Sequence, residues 1–277
     1  MEKQMQKWLM FLRKFNFFLA ILFLALAEIS HCFEIKGNYI QGGLLFGKTE
    51  IGAKVYFDNI SIPIDKKGNF LIGLKRKQAK VSNIKILLES GEQLNKKIII
   101  DKRKYKIQKI NNINKNKVTP PERFFKRIKN ESNLINKAKK KYIEEPFYIK
   151  GFIMPTQGII TGVYGSQRIL NGIPKRPHYG LDIANQEGTD VISVSDGIIV
   201  LAEEDLYFSG GTIIISHGQG LTSSYLHLSK ITTKVGEQVY QGQKLGEIGS
   251  TGRSTGPHLD WRMEVHGVRI DPKLLLD

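Results

Sequence analysis

Near the C-terminus the run Thr255-Gly256-Pro257-His258-Leu259-Asp260-Trp261-Arg262 sets a histidine and a carboxylate two residues apart at the start of an apolar stretch. A turn followed by that pattern predicts a strand, and residues i and i+2 of a strand point to one face. His258 and Asp260 are then neighbouring groups able to move a proton or bind a metal. Two other stretches offer the same chemistry. His178-Tyr179-Gly180-Leu181-Asp182 places a histidine and a carboxylate four apart, with Gly180 letting the backbone turn, and Tyr225-Leu226-His227-Leu228 ends an apolar strand in a histidine. Imidazole nitrogens and carboxylate oxygens from separate strands are the donors of a catalytic zinc site, in which three protein ligands leave a position for water. Thiolate ligation and an internal disulfide are excluded, because Cys32 is the only cysteine.

In this order the three motifs resemble the lysostaphin/LytM-type zinc endopeptidases, a family that cuts peptide bonds in bacterial peptidoglycan and carries H-x-x-x-D, then Y-x-H-L, then G-P-H-L-H. The resemblance also takes in Ile215-Ser216-His217-Gly218-Gln219-Gly220, Val235-Gly236-Glu237-Gln238-Val239, Gly246 to Gly249 and Ser250-Thr251-Gly252, and covers about residues 150–272. It implies one Zn²⁺ per site with His178 and Asp182 as ligands. His258 becomes the general base or transition-state stabiliser, and His227 its partner, stabilising the oxyanion. The third ligand position, a histidine in the family, is Asp260 here. Aspartate is an accepted zinc ligand, and its oxygen is as many bonds from Cα as Nδ1 of histidine. It replaces an Nδ1 ligand with little backbone movement but falls short of an Nε2 ligand.

The charge of the site changes with that residue. A His/Asp/His set with Zn²⁺ has net charge +1, whereas His/Asp/Asp has zero. The expectation is a well-held metal, a bound water acidified less, and a shifted pH optimum; the added oxygen ligand also opens the site to harder ions. Replacing Asp260 with histidine is expected to keep or raise activity. Arg168 and Asn171, in the loop 165–177, are candidates for substrate contact. His217, before a glycine turn, is expected to be structural, and His266 to be a surface residue of a turn.

The elements that must position these groups read as β throughout, with one helix. Residues 1–27 have a basic start, an apolar run from Phe17 to Ala27 and Ala25-Leu26-Ala27 as a small-x-small cleavage site, the pattern of a signal peptide. The rival is an uncleaved inner-membrane anchor beginning near Trp8, which must bury Arg13 and Lys14. Bulky His31 before Cys32 argues against lipidation. Residues 34–110 read as a small β-sandwich with an accessory role. Residues 111–145 form a linker and an amphipathic helix, with Thr119 expected as N-cap, a proline at the first helical position and Glu122 completing a capping box. Residues 146–277 are an all-β domain, in which the resemblance implies an antiparallel sheet with a substrate groove.

The net charge of +16 is concentrated. Residues 96–141 hold 17 Lys and Arg against three acidic residues, a net +14, while residues 142–277 hold 11 against 15, a net −4. The basic segment would favour an anionic envelope surface, unless Lys, Ile and Asn are simply abundant through coding bias. No nucleic-acid recognition motif accompanies it. The combined reading is an exported, metal-dependent endopeptidase acting on peptidoglycan cross-links or stems, in a Gram-negative periplasm or cell envelope. Two other classes compete with it. One is a degenerate LytM domain that activates a separate cell-wall amidase, although such domains usually lose several motif residues. The other is a pure wall-binding module.

Overall fold

A computed structural model describes residues 33–276. The expected signal peptide, Cys32 and the rival anchor lie outside the described residues. Eight short strands come first: β1 Glu34–Gly37, β2 Leu44–Lys48, β3 Lys54–Phe57, β4 Ile60–Ile62, β5 Asn69–Gly73, β6 Val81–Leu87, β7 Gln93–Ile99 and β8 Ile107–Ile110. They form a three-stranded sheet in the order β1-β2-β5 and a four-stranded sheet in the order β4-β3-β6-β7, while β8 leaves to pair elsewhere. Strands β3 and β4 are joined by Asp58 and Asn59, both at positive φ, the backbone that matches a two-residue hairpin to strand twist.

Two helices follow, α1 over Lys115–Val118 and α2 over Phe125–Lys139, with a 3₁₀ turn at Glu122–Phe124 between them. The expected helix start at Thr119 is therefore corrected. Thr119 closes α1, Pro121 is extended (φ −62°, ψ 153°), and no side chain caps α2. The reason is the Pro120-Pro121 pair, since a residue before proline is driven out of the helical region. Helix α2 then lies on the C-terminal sheet. Ile135 and Ala138 pack against Val200, Leu201, Leu206 and Ile214, and Lys139 pairs with Glu264 at 3.0 Å.

The C-terminal strands are β9 Ile159–Gly162, β10 Gln167–Leu170, β11 Ile173–Pro174, β12 Leu181–Ala184, β13 Asp190–Ile192, β14 Gly197–Leu206, β15 Gly210–Gly218, β16 Leu221–Ile231, β17 Gln238–Val239, β18 Lys244–Ile248, β19 His258–Val265 and β20 Val268–Ile270. Ten of them make one sheet whose main path runs β17-β14-β15-β16-β19-β12-β9. Residues 165–177 are not the long loop expected. Strands β10 and β11 form a hairpin through Asn171-Gly172, both at positive φ, and Asn-Gly is the strongest two-residue hairpin signal. Strand β10 also pairs in parallel with β8, Gln167 opposite Ile107 through Leu170 opposite Ile110.

Strand alternation sorts the side chains. Leu181, Ile183, Leu259, Trp261, Met263 and Val265 point into the main core, which also takes Leu44 and Leu71 from the N-terminal sheets. The residues between them, Asp182, His258 and Asp260, are left for the other face.

Candidate metal centre and active-site cleft

The two carboxylates meet because of sheet register. On antiparallel β12 and β19, Asp182 is paired directly with Asp260, and Ala184 with His258. Like charges directly opposite on neighbouring strands repel, so this register requires compensating cations. Two glycines make room for it. A Cβ on Gly162 of β9 would lie 2.1 Å from Oδ2 of Asp182, and one on Gly180 would lie 2.2 Å from Oδ1 of Asp260. His178 reaches the same point from the segment before β12, its backbone N–H donating to Ser166 O at 2.8 Å and its carbonyl accepting from Gly165 N at 2.8 Å.

His178, Asp182 and Asp260 are all buried, and one donor atom from each lies within 4.8 Å of the others. Nε2 of His178 and Oδ1 of Asp182 are 3.0 Å apart, yet both are buried with no hydrogen-bond partner. Buried polar atoms without a partner are rare, and each calls for a missing ligand, ion or water. Orphaned atoms on two donors, with a third carboxylate beside them and glycines cradling both acids, fit a divalent metal.

The remaining carboxylate oxygens are taken by arginines, which the sequence-level charge count left out. Arg168 Nη2 donates to Oδ2 of Asp182. Arg262 donates from Nε to both oxygens of Asp260, at 3.0 and 3.1 Å, and from Nη2 to Oδ2 at 2.5 Å. Burial works against ionisation of Asp260, but Arg262 and His178 outweigh it and hold the carboxyl well below its usual range. Burial and the Asp260 charge likewise push Asp182 up, and His178 with Arg168 brings it below the usual value. Two carboxylates thus face two guanidinium groups before any metal is counted. The expected net-zero metal site is corrected to a positive one. The Asp260–Arg262 unit is as neutral as the imidazole it replaces.

His227 and His258 stand beside this trio, their ring centroids 4.8 Å apart. His227 sits in β16 with φ +69°, a left-handed backbone that is strained for histidine and marks functional positions. Leu226 is paired with Asp260 of β19, whereas Leu228 pairs with Ile248 of β18, so the strand changes partners at this residue. Nδ1 of His227 lies 2.8 Å from Thr251 O, and Nδ1 of His258 lies 2.9 Å from Gly256 O. A carbonyl only accepts, so both Nδ1 atoms carry a proton, and in the neutral form of either ring the lone pair is at Nε2. Burial, followed by the His258 charge, pushes the His227 pKa down to about 4. A neutral His227 in this tautomer presents a lone pair at Nε2, so it would donate to an oxyanion from Nε2 only when protonated.

A cleft of about 320 Å³ reaches Asp182 of the trio and is lined also by Arg168, Arg253, Ser254 and His258 and by Gln108, Ile110 and Ile113. The latter three precede the C-terminal sheet and form a wall that sequence reading did not foresee. Asn171 is not part of the lining. Its carboxamide accepts from Ile113 N at 3.2 Å and donates to Ile113 O at 2.7 Å, tying that wall to the β10–β11 hairpin. His217 is fully buried and structural, between Asp196 O and Ser223 Oγ at 2.7 Å each. His266 is half-buried rather than a free surface group, its ring packed over Gly220.

Residues 176–272 match the model of peptidase family M23. Over 102 residues the chain is 43% identical to the peptidoglycan DD-endopeptidase ShyA of Vibrio cholerae, covering 36% of this chain and 24% of that protein. Over 97 residues it is 37% identical to the DD-carboxypeptidase/endopeptidase Mpg of Neisseria meningitidis, covering 35% and 22%. The chain therefore spans about a quarter of the length of the curated relatives it matches. The crystal structure of a putative M23 peptidase from Pseudomonas aeruginosa shares the fold, with a TM-score of 0.67 at 23% identity over 86% of this chain and 95% of that one. The matched segment holds His178, Asp182 and Asp260 and the paired histidines, and it is a peptidase-family M23 domain of the lysostaphin/LytM type. Arg168 lies before the matched segment.

Proposed function

We propose that this chain is an exported metal-dependent endopeptidase that hydrolyses peptide bonds of bacterial peptidoglycan. One observation carries the reading: the orphaned Nε2 of His178 and Oδ1 of Asp182 converge with Asp260, and Asp182 lines a cleft that also holds His258. Those three residues would hold the metal, zinc by family resemblance, and when bound it supplies a Lewis acid and an acidified water. His258 supplies proton transfer. Its ring is fixed by Gly256 O, so the open Nε2 lone pair takes the proton of an attacking water and returns it to the leaving amine. His227 offers a second fixed acceptor that orients the water without competing for its proton at neutral pH. The wall from Gln108 to Ile113 confines an extended peptide over these groups.

Export through residues 1–27 to a periplasm or cell envelope completes the proposal, with the basic stretch 96–141 holding the protein to an anionic surface. The test is metal analysis of the purified chain together with digestion of cross-linked muropeptides. Bound zinc and cleavage abolished by His258→Ala are expected. A second reading, a non-catalytic activator of an amidase, is favoured by the grip of Arg262 on both oxygens of Asp260, which resembles an ion pair standing where a metal would. A protein that binds no metal, cleaves nothing and stimulates an amidase establishes that reading and sinks the first.

A further inference from the structure

Among the described residues, Arg253 is a cation of the cleft with no ion-pair partner. Its guanidinium has no carboxylate partner among the described residues and lies over the ring of Phe208, 4.9 Å from the centroid. Arg168 and Arg262, the other arginines near the site, are each bound to an aspartate. Partial burial, then repulsion from Arg262 and Arg168, outweighs the pull of Asp260 and brings the Arg253 pKa down to about 10. A half-buried cation whose nearest charged neighbours are mostly cations is destabilising by itself, and an arriving anion relieves it.

The position is fixed in advance. The backbone N–H of Arg253 donates to Phe208 O at 2.8 Å. Gly252, at φ +71°, lies so close to the Phe208–Gly210 backbone that a Cβ would come within 2.4 Å of Gly210 N. Phe208 thus contacts both the main chain of Arg253 and its guanidinium. The same segment, five residues on, carries His258, and both line the cleft. Guanidinium is the side chain suited to bidentate binding of carboxylate, and a fixed fork loses little entropy when it does so.

We propose that Arg253 forms a carboxylate subsite of the cleft, selecting peptides that carry a free carboxylate close to the scissile bond. This rests on the endopeptidase reading and names the substrate feature it recognises. In a peptidoglycan stem that carboxylate comes either from the C-terminal D-amino acid or from the side chain of the diamino acid, and both present the same anion to Arg253.

The experiment uses the full chain and three synthetic cross-linked stem peptides: the free acid, the C-terminal amide and the diamino-acid side-chain amide. Binding is measured by calorimetry and hydrolysis in parallel. Wild type should bind the free acid about 10- to 100-fold more tightly than one of the two amides, the range expected for a hydrogen-bonded charge pair, and that amide identifies the source. The difference should appear in KM and leave kcat nearly unchanged. Arg253→Gln should bind all three peptides alike and unfold no earlier than wild type, because it removes a repelled cation. Arg253→Lys should recover part of the discrimination. Equal binding of all three peptides by wild type, no binding of any, or discrimination that survives Arg253→Gln overturns the subsite. Discriminating binding without hydrolysis sinks the endopeptidase and leaves the subsite standing; hydrolysis without discrimination does the reverse.

Discussion

His217 and His178 are buried histidines of the same β domain, and their surroundings differ in kind. Around His217 each ring nitrogen has a partner, a backbone carbonyl on one side and a serine hydroxyl on the other. Around His178 the Nε2 has none, the facing Asp182 oxygen has none, and a second carboxylate is pressed against the first by strand register. A satisfied buried polar group rigidifies a core. An unsatisfied set of ligand type is an incomplete structure that something else finishes. The family motifs contain both histidines, and it is this hydrogen-bond accounting that separates their roles.

The comparison breaks most directly by removing a donor from each cluster. His178→Ala or Asp182→Asn should lose the metal and all measurable cleavage, whereas His217→Ala should keep the metal and lose stability instead; metal analysis beside thermal unfolding distinguishes them. His258→Ala comes next, with the metal retained and kcat lower by about 10²–10⁴-fold. Loss of metal in that variant would place His258 among the ligands. Arg262→Gln should weaken metal binding by about 10- to 100-fold, the usual effect of deleting the partner of a ligand, as read by competition with a chelating dye. The arginine also revises what a histidine at position 260 should do. Asp260→His leaves the Arg262 guanidinium without its anion, at roughly 1–3 kcal/mol. The single variant should therefore be less stable than wild type, and Asp260→His combined with Arg262→Gln should recover part of the loss in a denaturant titration.

The last test concerns the satisfied cluster alone. Burial pushes the His217 pKa down to about 4, against ~6.5 in an unfolded chain. Above pH 6.5 the ring is neutral in both states and the fold keeps its full stability. Below that pH the unfolded chain gains a proton that the folded protein resists, so stability falls until about pH 4, by roughly 3 kcal/mol in all. Urea unfolding at pH 7 and pH 4.5 should show the fall, and His217→Asn should start lower and change less. An equally steep pH dependence in the variant would assign the fall to other groups.

Much of the fold was legible in the sequence because β patterns are local. The alternation in His258–Val265 and Thr222–His227, and the glycine-marked turns, put the strands within a few residues of where they lie. The misses were local as well: the Asn171-Gly172 hairpin carried a readable signal, and the Pro120-Pro121 pair forbade the simple helix start that Thr119 and Glu122 suggested. Of the site, the motif spacing gave His178, Asp182, His227, His258 and Asp260, since each motif brings its own donors to one strand or turn. Arg262 was also within reach, two residues from Asp260 on the same strand face, and the sign of its charge beside that carboxylate was a usable cue.

What the sequence determined by itself, then, is the set of chemical groups and the strands that carry them, because side-chain type and period-two alternation need no knowledge of distant residues. The tertiary structure decided which oxygens are free and which are taken. It did so through contacts between different segments of the chain: Arg168 on Asp182, Gly162 opening space for a carboxylate one strand away, and Gln108 to Ile113 lining a cleft built otherwise from residues 161–258. Desolvation and pairing set the charge state of a buried group, and both depend on which segments fold together rather than on the motif that supplied the group.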